Sequence, residues 1–276
     1  MVVQQHRRRG GALVVAAAVA GVMATSGCSG GTGAVADDRP GGGRTDRVRT
    51  AADALVAAGS ARARTSMETA TGGTRVTIQG EGGYDFRRRM GRLTVVLPKD
   101  PAGADEHRPV TELMAPGALY MKNRGAGVPA DKWVRIDTTT LADGNLVTGG
   151  ATDPLAAAEL LRGARDVTYV GEESVAGETV HHYRGSTDIG RAARAAEPHA
   201  RASLAAAAKG FATDTVPFDV YLDEQGRLRK VRHRFSFANA TGTVAVTSTT
   251  VLYDFGTPVT MVLPDRRDIY AGRIGT

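Results

Sequence analysis

Residues Pro217 to Phe237 read P-F-D-V-Y-L-D-E-Q-G-R-L-R-K-V-R-H-R-F-S-F, and this stretch decides the fold. Phe218, Val220 and Leu222 alternate with Asp219, Tyr221 and Asp223, the period of two that marks a half-buried strand. Asp223-Glu224-Gln225-Gly226 then forms a turn in which Gly226 takes positive φ without steric penalty. The return strand sets Val231, Phe235 and Phe237 on one face and Lys230, Arg232 and Arg234 on the other. Leu228 falls out of phase, which predicts a bulge near Arg229. A sheet with one apolar and one basic face needs a cover for the apolar one.

Outward from this hairpin, strand patterns recur along most of the chain. Arg75 to Gly80, Gly83 to Arg89, Arg92 to Leu97, Thr111 to Ala115, Ala118 to Lys122 and Lys132 to Ile136 form a meander. Val167 to Glu172 and Glu178 to Arg184 form a second hairpin, and Thr243 to Phe255 and Val259 to Leu263 close the series. Three helices interrupt it. Val48, Ala51, Ala52, Leu55 and Val56 predict one within Thr45 to Ala63, ending near Gly59. Asp153 as N-cap with Pro154 at the first position opens another, and Asp188 to Lys209 is a third, broken at Pro198. The expected fold is α+β: a strongly curved antiparallel sheet, an incomplete barrel of about ten strands, with about three helices across its concave face.

The front of the chain reads as an export signal over residues 1–27. Arg7, Arg8 and Arg9 precede an apolar run from Ala12 to Met23, too short to span a bilayer that needs about 20 apolar residues. Ala24-Thr25-Ser26-Gly27-Cys28 resembles a bacterial lipobox, although Thr25 stands where Leu is usual, and Cys28 is the only cysteine. The resemblance implies a mature chain anchored by acylated Cys28, palmitate among its acyl chains, at the extracytoplasmic face of the cell membrane. A Gly-rich tether follows over residues 28–45, then a folded domain over 46–276. With no second cysteine the domain stands on its core, for which roughly 230 residues suffice. The formal charge of +6 falls to +3 once the three signal arginines leave, which removes most of the case for a nucleic-acid partner.

Catalytic and metal patterns are missing from the sequence. His181 and His182 are adjacent on a strand and point to opposite faces, so they do not chelate one metal. His107, His199 and His233 stand alone, and no G-x-S-x-G, S-x-x-K or H-E-x-x-H occurs. Gly80-Glu81-Gly82-Gly83 lies between strands and is no phosphate loop. Neither an enzyme nor a cofactor is expected. Arg87-Arg88-Arg89 and the Lys230, Arg232, Arg234 stripe read as a solvated face, or as a patch resting on anionic headgroups.

The chain resembles the LppX/LprAFG group of bacterial lipoproteins, relatives of the LolA-like carriers. Ala118-Leu119-Tyr120-Met121-Lys122 followed by Lys132-Trp133-Val134, then Gly171 to Thr179 with His182-Tyr183, carry the resemblance. So do Pro217 to Val231 and Tyr253 to Val259. It implies an apolar cavity between sheet and helices that holds a membrane lipid or lipidated molecule, for transport or presentation in the cell envelope. It also leaves open a sensor or regulatory module without cargo, with an envelope transporter or regulator as partner. The residues expected to line the cavity are Leu93, Val95, Leu119, Met121, Trp133, Leu155, Phe218, Val220, Leu222, Phe235 and Phe237.

Overall fold

A computed structural model describes residues 42–71, 74–98, 108–125, 127–147, 152–239 and 242–272. Cys28, the export signal and most of the tether lie outside the described residues. In chain order the elements are α1 (Gly42–Arg49), α2 (Ala51–Ala58), β1 (Ser60–Thr71), β2 (Thr74–Asp85), β3 (Met90–Val96), β4 (Val110–Ala115), β5 (Ala118–Lys122) and β6 (Trp133–Asp137). Then come α3 (Pro154–Leu160), β7 (Ala164–Val175), β8 (Glu178–Asp188), α4 (Ile189–Ala195), α5 (Pro198–Gly210), β9 (Thr215–Leu222), β10 (Leu228–Asn239) and β11 (Gly242–Tyr253).

All eleven strands join one open antiparallel sheet in the order β6-β5-β4-β3-β2-β1-β11-β10-β9-β8-β7. The chain meanders outward from β1 to β6 at one edge, then crosses to β7 at the other edge and meanders back to β11 beside β1. Eleven strands at ~4.8 Å spacing separate the two edges by tens of ångströms along the sheet, so the β6–β7 connection must run across a face. It runs as the segment 138–163, and α3 lies within it. The α+β reading with an incomplete barrel therefore holds.

Several local expectations hold for their stated reasons. Gly226 has φ 74°, and the register shifts between Leu228 and Lys230 as the out-of-phase Leu228 predicts. Asp153 caps α3 by accepting from Leu155 N at 2.8 Å and Ala156 N at 3.1 Å, with Pro154 in the first turn. Other boundaries differ. The helix expected to end near Gly59 does end there, but it is two short helices, α1 and α2, rather than one. Ala61 and Ala63 are inward positions of β1 and are buried completely. The two strands expected around Gly80-Glu81-Gly82-Gly83 are one strand, β2, and the turn falls at 86–89 instead. Val259 to Leu263 is not a strand: the segment after β11 is irregular, crosses past Ser60, and bridges β6 through Ile269 and Trp133.

The unbroken β2 depends on glycine for a steric reason. Paired with Leu93, Gly82 lies so close to β3 that a Cβ would sit 1.9 Å from the Arg92 carbonyl oxygen. Sequence alone makes such a glycine look like a turn. Gly82→Ala is expected to cost about 2–4 kcal/mol, because backbone rather than a flexible side chain must move; urea denaturation of the variant and the parent measures this.

Candidate functional site

Two apolar clusters fill the space between sheet and helices. The larger joins α1, α2 and α3 to all of the strands β1 to β11 through residues such as Leu55, Phe86, Leu93, Leu119, Leu155, Phe218 and Leu252. The smaller joins α4 and α5 to Met67, Leu146, Phe235 and Val246.

The expected cavity residues fall mainly into these clusters. Leu93, Val95, Leu119, Met121, Leu155, Phe218, Val220 and Leu222 are buried in the larger one, and Phe235 in the smaller. Trp133 stands apart on the edge strand β6, half-buried, with Lys122 Nζ 5.6 Å from its ring centroid. The Phe237 side chain lies outside the described residues.

A cleft of about 70 Å³ lies under the helices, between α3, α5 and the ends of β2, β4 and β5. Its apolar wall is made by Met114, Ala118, Leu155, Ala156 and Leu204. Its polar rim is made by Tyr84, Arg89, Asn145, Asp153, His199 and Ser203. Of the eleven residues expected from sequence, Leu155 alone lines it.

Each rim group is placed by a local cause. Tyr84 ends β2 and folds over Gly91, where a Cβ would sit 2.4 Å from the ring; its hydroxyl donates to Asp153 Oδ2 at 2.9 Å. Burial pushes both groups upward from their ordinary range, Tyr84 strongly and Asp153 against three hydrogen bonds that favour its carboxylate. Asp143 turns the 143–147 loop by accepting from Asn145 N at 3.1 Å and Val147 N at 2.9 Å. Asn145 is thereby held at φ 62° and buried, and its Oδ1 has no partner. His199, in the first turn of α5, has no partner at Nδ1 or Nε2, and burial and then Arg89 lower its pKa. His199 thus bonds neither Ser203 nor a carboxylate, so Ser203 is not activated here for acyl transfer.

A second hollow lies on the opposite, outer face of the sheet. It is a trough of about 370 Å³ lined by Arg64, Ser66, Gln79, Glu81, Thr94 and Thr249 among others. Arg64 and Tyr253 both donate to Glu81, so this wall is polar and already internally paired. An acyl chain gains little there.

The basic stripe also has local partners. Arg234 Nη2 is 2.6 Å from Asp219 Oδ2, and Lys230 Nζ lies 4.6 Å over the Tyr221 ring. Asp219 also meets Arg184 Nε at 2.9 Å and His182 Nε2 at 3.0 Å. Burial pushes Asp219 up, but these hydrogen bonds hold it at about 2. Asp223, expected in a solvated turn, is buried and accepts from Arg227 Nε at 2.8 Å and Arg229 Nε at 3.0 Å. Arg232 stays exposed.

Two titratable groups point inward without a counter-charge. His233 faces the core: the strand alternation puts Arg232 and Arg234 outside and His233 inside, edge-on to Phe218 at 6.4 Å. Its Nε2 is unpartnered, as are Thr65 Oγ1 and Thr250 Oγ1. Thr65 pairs with Thr250, and His233 pairs with Ser248, so these four form one patch across β10, β11 and β1. Glu112 lies in a row with Leu93 and Met121, is 1% exposed, and its Oε2 has no partner. Among the described residues no cluster of His, Cys, Asp and Glu is arranged to hold a metal, and no helix is long and apolar enough to cross a membrane.

These two groups set opposite pH limits on stability. Burial raises Glu112 from 4.5 to about 8 and lowers His233 from 6.5 to about 3. The folded state binds the Glu112 proton more tightly than the unfolded chain, so that stability is complete below 4.5 and lost as pH rises to about 8, at roughly 1.4 kcal/mol per unit. Neutral His233 gives the reverse: stability is complete above 6.5 and falls as pH drops towards about 3. Glu112→Gln is expected to flatten the alkaline limb and His233→Phe the acid limb, as read by urea midpoints from pH 4 to 9.

Neither a protein-family model nor a curated protein matches the chain. Solved structures do. The chain is similar to the lipoprotein LppX of Mycobacterium tuberculosis at 10% identity and TM-score 0.46, over 79% of this chain and 98% of that one. It is similar to LprF of Mycobacterium bovis at 12% identity and TM-score 0.43, over 82% and 98%. A LolA superfamily protein of Nitrosomonas europaea matches at 13% identity and TM-score 0.35, over 82% and 97%. These structures come from the LppX/LprAFG and LolA-like group that the sequence resembles.

Proposed function

We propose that the chain is an exported lipoprotein, tethered through Cys28, that binds a lipid or other amphiphile between its helices and its sheet. The observation that carries this reading is the cleft itself: an apolar wall of Met114, Leu155 and Leu204 beside a rim holding unpartnered Asn145 and His199. An amphiphile has the matching two ends. Each methylene taken from water contributes ~0.8 kcal/mol, so binding needs no bond making or breaking.

The volume defines how binding proceeds. A space of about 70 Å³ is far below the ~300–1,000 Å³ of small-molecule sites, so cargo enters by displacing part of the cover. The part to move is α5. Of its thirteen residues it buries Ala200, Leu204 and Ala207, one large side chain with two small ones, and so it is held by little apolar area.

A second reading is an envelope interaction module, favoured by the unpaired edge of β7, where Tyr169 and Val170 are 38% and 49% exposed. Native mass spectrometry of the full chain recovered from a bacterial envelope separates the two. A stoichiometric lipid adduct, identified after extraction, is expected; an unliganded mass with no uptake from added membrane lipid would transfer the assignment to the interaction module. Ala156→Trp, which fills the cleft from α3, is expected to cut uptake at least tenfold while leaving the circular dichroism spectrum intact.

A further inference from the structure

The turn between β2 and β3 holds three successive arginines with different employment. Arg87 donates to Val56 O at 3.3 Å and Ala57 O at 2.8 Å and so caps the end of α2. The Arg88 backbone N–H donates to Asp85 Oδ1 at 2.8 Å and closes the turn. Arg89 does neither. It sits at φ 55°, a left-handed conformation that glycine adopts freely and arginine adopts at a cost, and its side chain lines the cleft.

The carboxylate that lines the cleft, and Glu159 behind it, are already engaged. Asp153 accepts from Tyr84 and from two backbone N–H groups of α3. Glu159 bonds Arg162 at 2.8 Å and accepts from Glu197 N at 3.2 Å. No ion pair to Arg89 is present among the described residues, so its guanidinium is an unneutralised charge at the rim. Beside it are His199, with both ring nitrogens unpartnered, and the buried, unpartnered Asn145 Oδ1. Together the rim offers a cation, a neutral N–H donor and one acceptor. A zwitterion would also need a free carboxylate, which the rim does not present. An uncharged headgroup would leave the guanidinium unused.

Resting on the amphiphile reading, we propose that the ligand is anionic. Its phosphate or carboxylate oxygens accept from Arg89 and from a ring N–H of His199, a headgroup hydroxyl donates to Asn145 Oδ1, and its chain follows the Met114, Leu155 and Leu204 wall. Arg89 is then a specificity residue, and its backbone conformation is retained for where it puts the guanidinium.

The test compares three probes on the full chain by isothermal titration: a monoacylglycerol phosphate, the monoacylglycerol with the same chain, and inorganic phosphate. The phosphate-bearing amphiphile is expected to bind at least tenfold more tightly than the neutral one. In Arg89→Gln the ratio is expected to fall to about one. Arg89→Gly is expected to do the same while raising the melting temperature, since glycine relieves the strained turn; this keeps loss of preference apart from loss of fold. Equal affinity for the two amphiphiles in the parent protein, or a preference that survives both substitutions, would overturn the anionic headgroup and leave the amphiphile reading standing. No binding of either amphiphile would remove the amphiphile reading itself. Inorganic phosphate bound as tightly as its acylated form would assign the rim to a free anion and reject the lipid headgroup.

Discussion

The pairing of β1 with β11 is the constraint from which the architecture follows. Nine consecutive residue pairs, from Arg62 with Tyr253 to Ala70 with Ala245, join two meanders that are otherwise separate sheets. Once they are joined, β6 and β7 become the two outer edges, and the chain between them has to traverse a face. The helical cover is thus a consequence of strand order. The face it crosses is the apolar one, because a connection over the outer face would leave Leu93, Leu119, Phe218 and Val220 in water. Four such side chains represent roughly 6–12 kcal/mol of transfer free energy.

Closure in this manner leaves polar groups where an ideal core would have none. Thr65, Thr250, His233 and Ser248 meet on the inner face between the two apolar clusters, and three of them keep an unpartnered atom. Ser248 is answered by Thr152 at 2.6 Å, a residue of the β6–β7 crossing. An orphaned buried group costs about 1–3 kcal/mol. The patch therefore weakens the cover where the two clusters meet, and the larger cluster can stay intact while the smaller one opens.

The sequence showed the elements best where a strand has one wet face and one dry one. The Pro217 to Phe237 hairpin, its Gly226 turn and the slip at Leu228 were all legible from alternation, and the Asp153-Pro154 start of α3 from capping chemistry. Legibility failed where small residues removed the contrast. Gly82 looks like a turn until β3 is laid against it. The site was hidden for another reason. Asn145, His199 and Arg89 lie far apart in sequence, and nothing local says that the 143–147 loop, the first turn of α5 and the β2–β3 turn converge. The sole local hint was three arginines in a row, which named Arg89 but read as a solvated outer face or a patch resting on anionic headgroups.

The helical cover is anchored unequally, and this determines where it gives way. Arg49 donates to Ala164 O at 2.7 and 3.0 Å and ties α1 to the start of β7. Arg162 grips Asp53 of α2 at 2.6 Å and Glu159 of α3 at 2.8 Å, so the guanidinium binds two helices together from a 12% exposed position. Its partner Glu159 is nearly buried, and breaking such a pair on one side leaves an uncompensated charge that costs several kcal/mol. The half of the cover made by α1, α2 and α3 is for that reason expensive to lift. By contrast, α5 holds on through Leu204 and the small side chains of Ala200 and Ala207. Its first turn carries His199 on the cleft rim, and its C-terminal part lies against the smaller cluster with Phe211 and Phe235. Movement of α5 alone would open the cleft from the rim inward, uncover apolar surface from the smaller cluster, and leave the Arg162 assembly in place. A ligand entering by that route meets Arg89, Asn145 and His199 before it meets Leu155.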